Sequence, residues 1–416
     1  MSFPSLAMQQ WSYPLVNPGS AVKRLCLVGD SHTSELNNGA TEQRYIYGIC
    51  RQWPINVHGL FAHAGLWPWT STPNGGMSFL AASATQHATD GSIAPHEIGQ
   101  VSGNINGQIF LRTDAVAASF ATMRNGNKMN HAALTVKVGW WANAGSYSSI
   151  RMRSGFTDDT YTEDTSGISL VGAGAYASRS MPIGADAVRD FRWDSLGANV
   201  TGEGNLIGTR IELTSPAGGV SIASIGNGGK TAADYAHATT ICSEARWQDW
   251  LTMFGPFDRF MVVLGTNMAA AESANIVGVW GPNMLTFAQK LLRLNAAAGG
   301  PSDAMVLLIT GHDANITTRL SDMAAAIAAC ANADARIAHY DSARVIQNER
   351  GIDYTALAAT YLADGVHFNG LGADLVGDVI GDAMLLRTGN VYDYFADYFR
   401  ARDAMRRRKA REGAAT

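Results

Sequence analysis

Charge is scarce in this chain. Only 16% of its 416 residues are Asp, Glu, Lys or Arg, and the net balance is −4. Nucleic-acid binders meet phosphates with clustered Lys and Arg, so this balance does not point to nucleic acid. Cysteine is scarcer still. Cys26, Cys50, Cys242 and Cys330 lie far apart and form no Cys-x-x-Cys pair. That argues against a disulfide framework or a zinc site and reads the four as buried, reduced thiols. No apolar run reaches the roughly 18 residues needed to span a bilayer. Met1–Gln10 has neither a basic start nor a long apolar core, so no signal peptide is expected. The expected setting is the cytoplasm, or a virion released by lysis.

What the chain does have is length and apolar content. At 416 residues and 46% hydrophobic, it is long enough for two or three domains and buries a large core without staples. Residues 24–29 read as a buried parallel strand, short and apolar and ending in Gly-Asp. Tyr45, Ile49 and the adjoining Trp53 fall on one helical face, which predicts a helix over 41–52, and a second strand-like run follows at 55–61.

From about 67 to 218 the character changes. Gly, Ser, Thr and Asn dominate, with alternating stretches at 108–112 and 133–138 and turn pairs such as Asn74-Gly75 and Asn125-Gly126. These features predict an antiparallel β-sandwich or jelly roll. After 219 strands and helices alternate again. Strands are predicted near 220–225, 259–264, 304–310 and 336–340, and helices near 232–253, 283–298, 319–331 and 371–387. Repeated β–α units imply a parallel sheet covered by helices on both faces. The expected organisation is therefore one discontinuous α/β domain (1–66 and 219–395), interrupted by a β-rich insertion (67–218). A basic tail (396–416) carries Arg406-Arg407-Arg408-Lys409 and Arg411. That tail suits an acidic surface, or is simply a solvated helix end.

Four short segments carry chemistry. Gly29-Asp30-Ser31-His32 follows Leu25-Cys26-Leu27-Val28. Gly228-Gly229-Lys230-Thr231 follows the run 220–225. Gly265-Thr266-Asn267 follows 260–264, and Asp364-Gly365-Val366-His367 stands near the end. The first three come just after strand-like runs, where open α/β sheets bind ligands. Serine needs a neighbouring base, and the base needs a partner to set its tautomer. Ser31, His367 and Asp364 supply those three groups. Glycine lets a backbone N–H approach a substrate oxygen closely, and an Asn amide donates without losing its proton. Gly229 and Asn267 are thus candidate oxyanion donors. Alone, each segment reads more simply: a turn, a glycine bend, or a helix N-cap at Asn267. The case lies in their order and complementarity.

On these residues the chain resembles the SGNH, or GDSL-type, hydrolase family, which is named for Ser, Gly, Asn and His in four sequence blocks. Ser31, Gly229, Asn267 and His367 match block by block, and Asp364 matches the acid three residues before the His. The resemblance covers roughly 22–66 and 219–390. It implies a flavodoxin-like three-layer α/β/α fold and ester hydrolysis through an acyl-enzyme. It also implies an oxyanion hole of the Ser31 and Gly229 N–H groups and the Asn267 side chain. Two departures stand out. Met268 replaces the Asp usual in the third block, which predicts altered loop packing rather than lost chemistry. The first two blocks are nearly two hundred residues apart, which the insertion would explain.

The expected function is a serine esterase acting on O-acyl, foremost O-acetyl, groups of a polysaccharide, with no metal or organic cofactor. His32, Trp67 and Trp69 are candidate substrate contacts. The tryptophans in and beside the insertion (also Trp140, Trp141 and Trp193) divide between core residues and sugar-stacking platforms. His58, His63, His87 and His96 lack tight ligand spacing, so no metal site is expected. Two other readings stay open. One is a lipase-like or thioesterase-like acyl hydrolase. The other is a non-enzymatic glycan-binding or tail-fibre component with a vestigial site. Homo-oligomer or virion assembly is compatible with each.

Overall fold

The computed structural model describes residues 5–30, 32–33, 66–67, 109–112, 134–142, 149–155, 161–163, 168–169, 175–183, 190–196, 205–213, 219–226, 230–237, 244–311, 319–352 and 360–385. The helix predicted over 41–52, the strand over 55–61 and the basic tail lie outside them. The chain opens with helix α1 (Leu6–Val16) and strand β1 (Val22–Gly29). Then come β2 (Leu66–Trp67), β3 (Ile109–Arg112), β4 (Leu134–Ala142), β5 (Ser149–Gly155), β6 (Tyr161–Glu163), β7 (Ile168–Ser169), β8 (Ala175–Ile183), β9 (Asp190–Leu196) and β10 (Asn205–Leu213). Strand β11 (Gly219–Gly226) returns to β–α alternation, with α2 (Ala232–Ala236), α3 (Glu244–Phe254), β12 (Arg259–Leu264), α4 (Ala270–Ala274) and α5 (Gly281–Ala297). The last elements are β13 (Met305–Thr310), α6 (Leu320–Ala333), β14 (Ile337–Tyr340) and α7 (Gly370–Leu385).

Five strands form one all-parallel sheet in the order β11-β1-β12-β13-β14. Counted along the chain this is 2-1-3-4-5, the flavodoxin-like order. Its sequences are the reason it lies inside. Arg259–Leu264 and Met305–Thr310 are buried at every position, as near-continuous apolar runs are when both faces are covered. Alternate side chains divide between the faces. Cys26, Val28, Phe260, Val262, Leu264, Val306 and Leu308 meet a core that includes Trp247, Phe254, Phe287, Leu291 and Ile327 of α3, α5 and α6. Leu25, Leu27, Met261, Val263, Leu307 and Ile309 are equally buried on the opposite face, where α1 packs beside β13, β14 and α7. The three-layer α/β/α reading therefore holds.

Between β1 and β11 every strand pairing among the described residues is antiparallel. One sheet runs β2-β10-β4-β8; another runs β3-β9-β5-β6 with β7 on β5. Of the alternating stretches, 109–112 forms β3 and 134–138 lies in β4.

Three differences from the sequence reading have physical causes. The helix predicted over 232–253 is two helices. His237 leaves helical geometry with φ −107° and ψ 133°, and Thr239-Thr240-Ile241 beyond it are β-branched, poor helix formers. Two single π-helical turns, Ile276–Trp280 and Val345–Glu349, have no sequence signature. Finally, α1 has no counterpart in the sequence reading. Its buried residues Met8, Trp11, Ser12 and Leu15 follow helical spacing, but Pro14 masks the pattern. Proline has no N–H for the Gln10 carbonyl. Arg259 approaches instead, with Nη2 3.3 Å from that carbonyl and Nε 2.8 Å from the Trp11 carbonyl.

Candidate active site

The crevice of a 2-1-3-4-5 sheet opens where the first strand meets the third, at their carboxyl ends. Here those strands are β1 and β12, with Gly29 opposite Val263 on one side and Gly226 on the other. Gly29 is required by close approach. A Cβ there would stand 2.6 Å from the Val263 carbonyl and against the Thr33 side chain. The buried Tyr235 hydroxyl donates to the Gly29 carbonyl at 2.7 Å, tying the strand end to α2.

Beyond Gly29 the chain turns tightly. Asp30 is buried; its Oδ1 accepts the His32 N–H at 3.0 Å and its carbonyl accepts the Thr33 N–H at 3.1 Å. Burial lifts the Asp30 carboxyl to about 6. The His32 N–H, the Thr266 hydroxyl and N–H, and the charge of His367 all pull the other way. His32 is also buried, its ring centroid 4.4 Å from that of Phe368 and 5.7 Å from that of His367. Ser31 and Gly229 lie outside the described residues. Of the two neighbours of Ser31 in the chain, His32 has its ring 5.7 Å from that of His367, and Asp30 feels the charge of His367.

His367 sits in a compact loop entering α7. The loop is closed by the Ala363 N–H donating to the His367 carbonyl at 2.7 Å. It bends at Gly365, whose φ of +86° is costly for any residue with a Cβ. Asn369 stitches the exit: its amide donates to the Thr360 carbonyl and its Oδ1 accepts the Gly372 N–H, capping the helix. Asp364 faces the imidazole. Its Oδ2 is 2.7 Å from His367 Nδ1, while Oδ1 accepts the N–H groups of Val366 at 2.9 Å and His367 at 2.7 Å. Partial burial pushes this carboxyl up, but the His367 N–H and ring and the Val366 N–H outweigh it and hold it at about 2. An Nδ1–H given to a carboxylate leaves Nε2 as the acceptor, the form a general base requires.

Across the crevice, β12 is followed by Gly265, whose φ of +134° swings the chain into Thr266 and Asn267. Asn267 does not cap a helix; the cap position of α4 belongs to Ala269. Its Nδ2 is buried and has no hydrogen-bond partner among the described residues. A buried amide without an acceptor costs about 1–3 kcal/mol, which an incoming oxygen would relieve. Met268 packs against the main core, in line with its apolar character.

Thr266, Tyr235, Phe368 and Glu272 escape the sequence reading. The first and third adjoin Asn267 and His367, which is the available signal; nothing in sequence marks the other two. Trp67 lies in β2 opposite Thr209, and Trp69 lies outside the described residues, as do His58, His63, His87 and His96. Cys26 and Cys330 are free, buried thiols whose pKa burial raises. Among the described residues no cluster of His, Cys, Asp or Glu could hold a metal ion. No helix among them is long and apolar enough to cross a membrane.

No family model and no curated protein matches this chain by sequence. Solved structures do resemble it. A peptidoglycan O-acetylesterase superposes over 94% of this chain and 99% of its own, with 15% identity and a TM-score of 0.53. A carbohydrate acetylesterase family member from Sinorhizobium meliloti matches over 41% of this chain and 81% of its own, at 16% identity and a TM-score of 0.27. A family two carbohydrate esterase from Cellvibrio japonicus matches over 51% and 76%, at 10% identity and a TM-score of 0.23. The fold likeness rests on the first of these, which spans nearly the whole of both chains.

Proposed function

We propose that this chain is a serine esterase that removes O-acetyl groups from a carbohydrate polymer. The observation that carries the proposal is the Asp364–His367 pair, hydrogen bonded at 2.7 Å, with the imidazole 5.7 Å from the ring of His32, which follows Ser31 at the sheet's crevice. In this reading His367 Nε2 takes the proton of Ser31 Oγ as that oxygen attacks the ester carbonyl. The tetrahedral oxyanion is met by the N–H groups of Ser31 and Gly229 and by Asn267 Nδ2. His367 then returns the proton to the leaving sugar oxygen, and water repeats the cycle to release acetate. Asp364 stays ionised down to about pH 2, so its hold on the ring persists wherever the imidazole is neutral.

The carbohydrate assignment draws on the acetylesterase whose fold spans both chains, and is an analogy of fold. The acyl-chain hydrolase and glycan-binding readings have no observation of their own in their favour. Treatment with a fluorophosphonate, followed by peptide mass mapping, tests the catalytic claim. Ser31 is expected to carry the adduct in the wild type and to lose it in His367→Ala. A folded wild type that stays unlabelled would refute the esterase. Acetate release from acetylated glycans, with Ser31→Ala as control, tests the substrate; a preference for octanoyl over acetyl esters would move the assignment to acyl chains.

A further inference from the structure

Glu272 is a carboxylate almost wholly removed from solvent, at 1% exposure. One of its oxygens acts locally. Oε2 accepts the Ala269 N–H at 3.0 Å, capping its own short helix. The other leaves that helix. Oε1 accepts the Ala233 N–H at 2.8 Å and the Asn283 amide at 2.9 Å. Ala233 is the second residue of α2, whose cap Thr231 stands two positions after Gly229. Ala269 stands two positions after Asn267. A single buried acid therefore grips the chain just beyond each of the two segments that carry the oxyanion donors. The division of labour at α2 is specific. Thr231 Oγ1 takes the Asp234 N–H, and Glu272 takes the Ala233 N–H that the cap leaves over. Capping α4 alone would not require a buried charge, which is costly unless every lone pair is used.

We propose that Glu272 is a positioning residue that fixes the start of α2 against the start of α4, and so tunes the oxyanion hole that the proposed function builds from the residues preceding those helices, Gly229 and Asn267. The inference rests on the esterase reading of those two residues. Glu272 touches no substrate in it. Because the donors serve the transition state more than the bound ester, their displacement lowers kcat with little effect on KM. A displacement near 1 Å is enough for a loss of about 10²-fold.

Glu272→Gln and Glu272→Ala, each checked for folding by circular dichroism, test this. Gln keeps an acceptor for Ala233 and Asn283 but turns a donor toward the Ala269 N–H. We expect kcat to fall about 10-fold in Gln and about 100-fold in Ala, with KM within about threefold. Backbone hydrogen exchange should quicken together over 230–236 and 267–274 in both variants, while β13 stays protected. Retention of wild-type kcat in both variants, or quickening confined to 267–274, would overturn the proposal and leave a plain helix cap. If Ala does not fold, Gln carries the test. If the wild type hydrolyses no ester, the functional reading has failed, and the exchange pattern still decides whether Glu272 ties the two segments.

Discussion

Asp30 and Asp364 are the same side chain in opposite circumstances. Asp364 lies near the surface with two N–H groups and an imidazole around it and is held at about 2; Asp30 is buried and sits at about 6. At neutral pH both are ionised, but Asp30 at a cost to folding. Its folded pKa exceeds the ordinary 3.8, so the folded state binds the proton more tightly. Stability therefore declines as pH rises from about 4 to 6, and the full penalty, on the order of 3 kcal/mol, applies above 6. Asp30→Asn should remove that slope. From pH 4 to 7 its stability should gain on the wild type by a few kcal/mol, whatever the offset at pH 4; parallel urea-melt profiles would contradict this. Asp364→Asn tests the other carboxylate. Without an anion to fix the tautomer, kcat should drop by about 10² to 10⁴-fold with KM little changed, and undiminished turnover would remove Asp364 from the reaction. Asp364-x-x-His367 is legible as a pair because both residues sit in one short turn. The rise in Asp30 is not, because burial is a property of what surrounds a residue.

Among the elements, α1 is the instructive one. Trp11 Nε1 donates to the Phe260 carbonyl at 2.9 Å, and Arg259 reaches back from β12 to the Trp11 carbonyl at 2.8 Å. Arg259 is 3% exposed, and its Nη1 also donates to the Asp258 and Asp303 carbonyls at 2.7 Å each. Its charge is thus spread over backbone oxygens of α1 and of the residues flanking β12 and β13, with the Asp303 carboxylate 3.7 Å away. Replacing it with Met keeps bulk but strips several buried acceptors, each worth about 1–3 kcal/mol. Arg259→Met is expected to destabilise the fold by about 2–4 kcal/mol in urea titrations; no measurable change would mean that water replaces the guanidinium. This residue also explains where sequence reading stops. Strands 259–264 and 305–310 stand out by the apolar runs 260–264 and 305–309, and α5, α6 and α7 by their periodicity. A proline late in a short amphipathic segment argues against α1, and the arginine that tolerates it lies far along the chain, in the third strand of the sheet.

At the scale of the whole molecule, the sheet sets side by side the strands that lead into three of the four sequence blocks. β11, β1 and β12 are neighbouring strands, and their carboxyl ends lie side by side at Gly226, Gly29 and Val263. That much can be read from strand–glycine patterns alone. The joins between blocks cannot. The Tyr235 hydroxyl on Gly29, the Thr266 groups facing Asp30 and the double grip of Glu272 each link separate segments of the site. The same adjacency has a temporal side. β1 ends at residue 29, yet its neighbours begin at 219 and 259. At synthesis rates of about 5–20 residues per second, its ladder groups wait roughly 10–40 s for a partner. Through that interval the nascent chain carries an apolar strand, Leu25-Cys26-Leu27-Val28, with both edges open. Meanwhile the antiparallel strands between are being made with neighbours of their own. The order of manufacture thus runs against the order of assembly: the strand that ends up paired on both sides, between β11 and β12, is made before either partner and must be sheltered until they arrive.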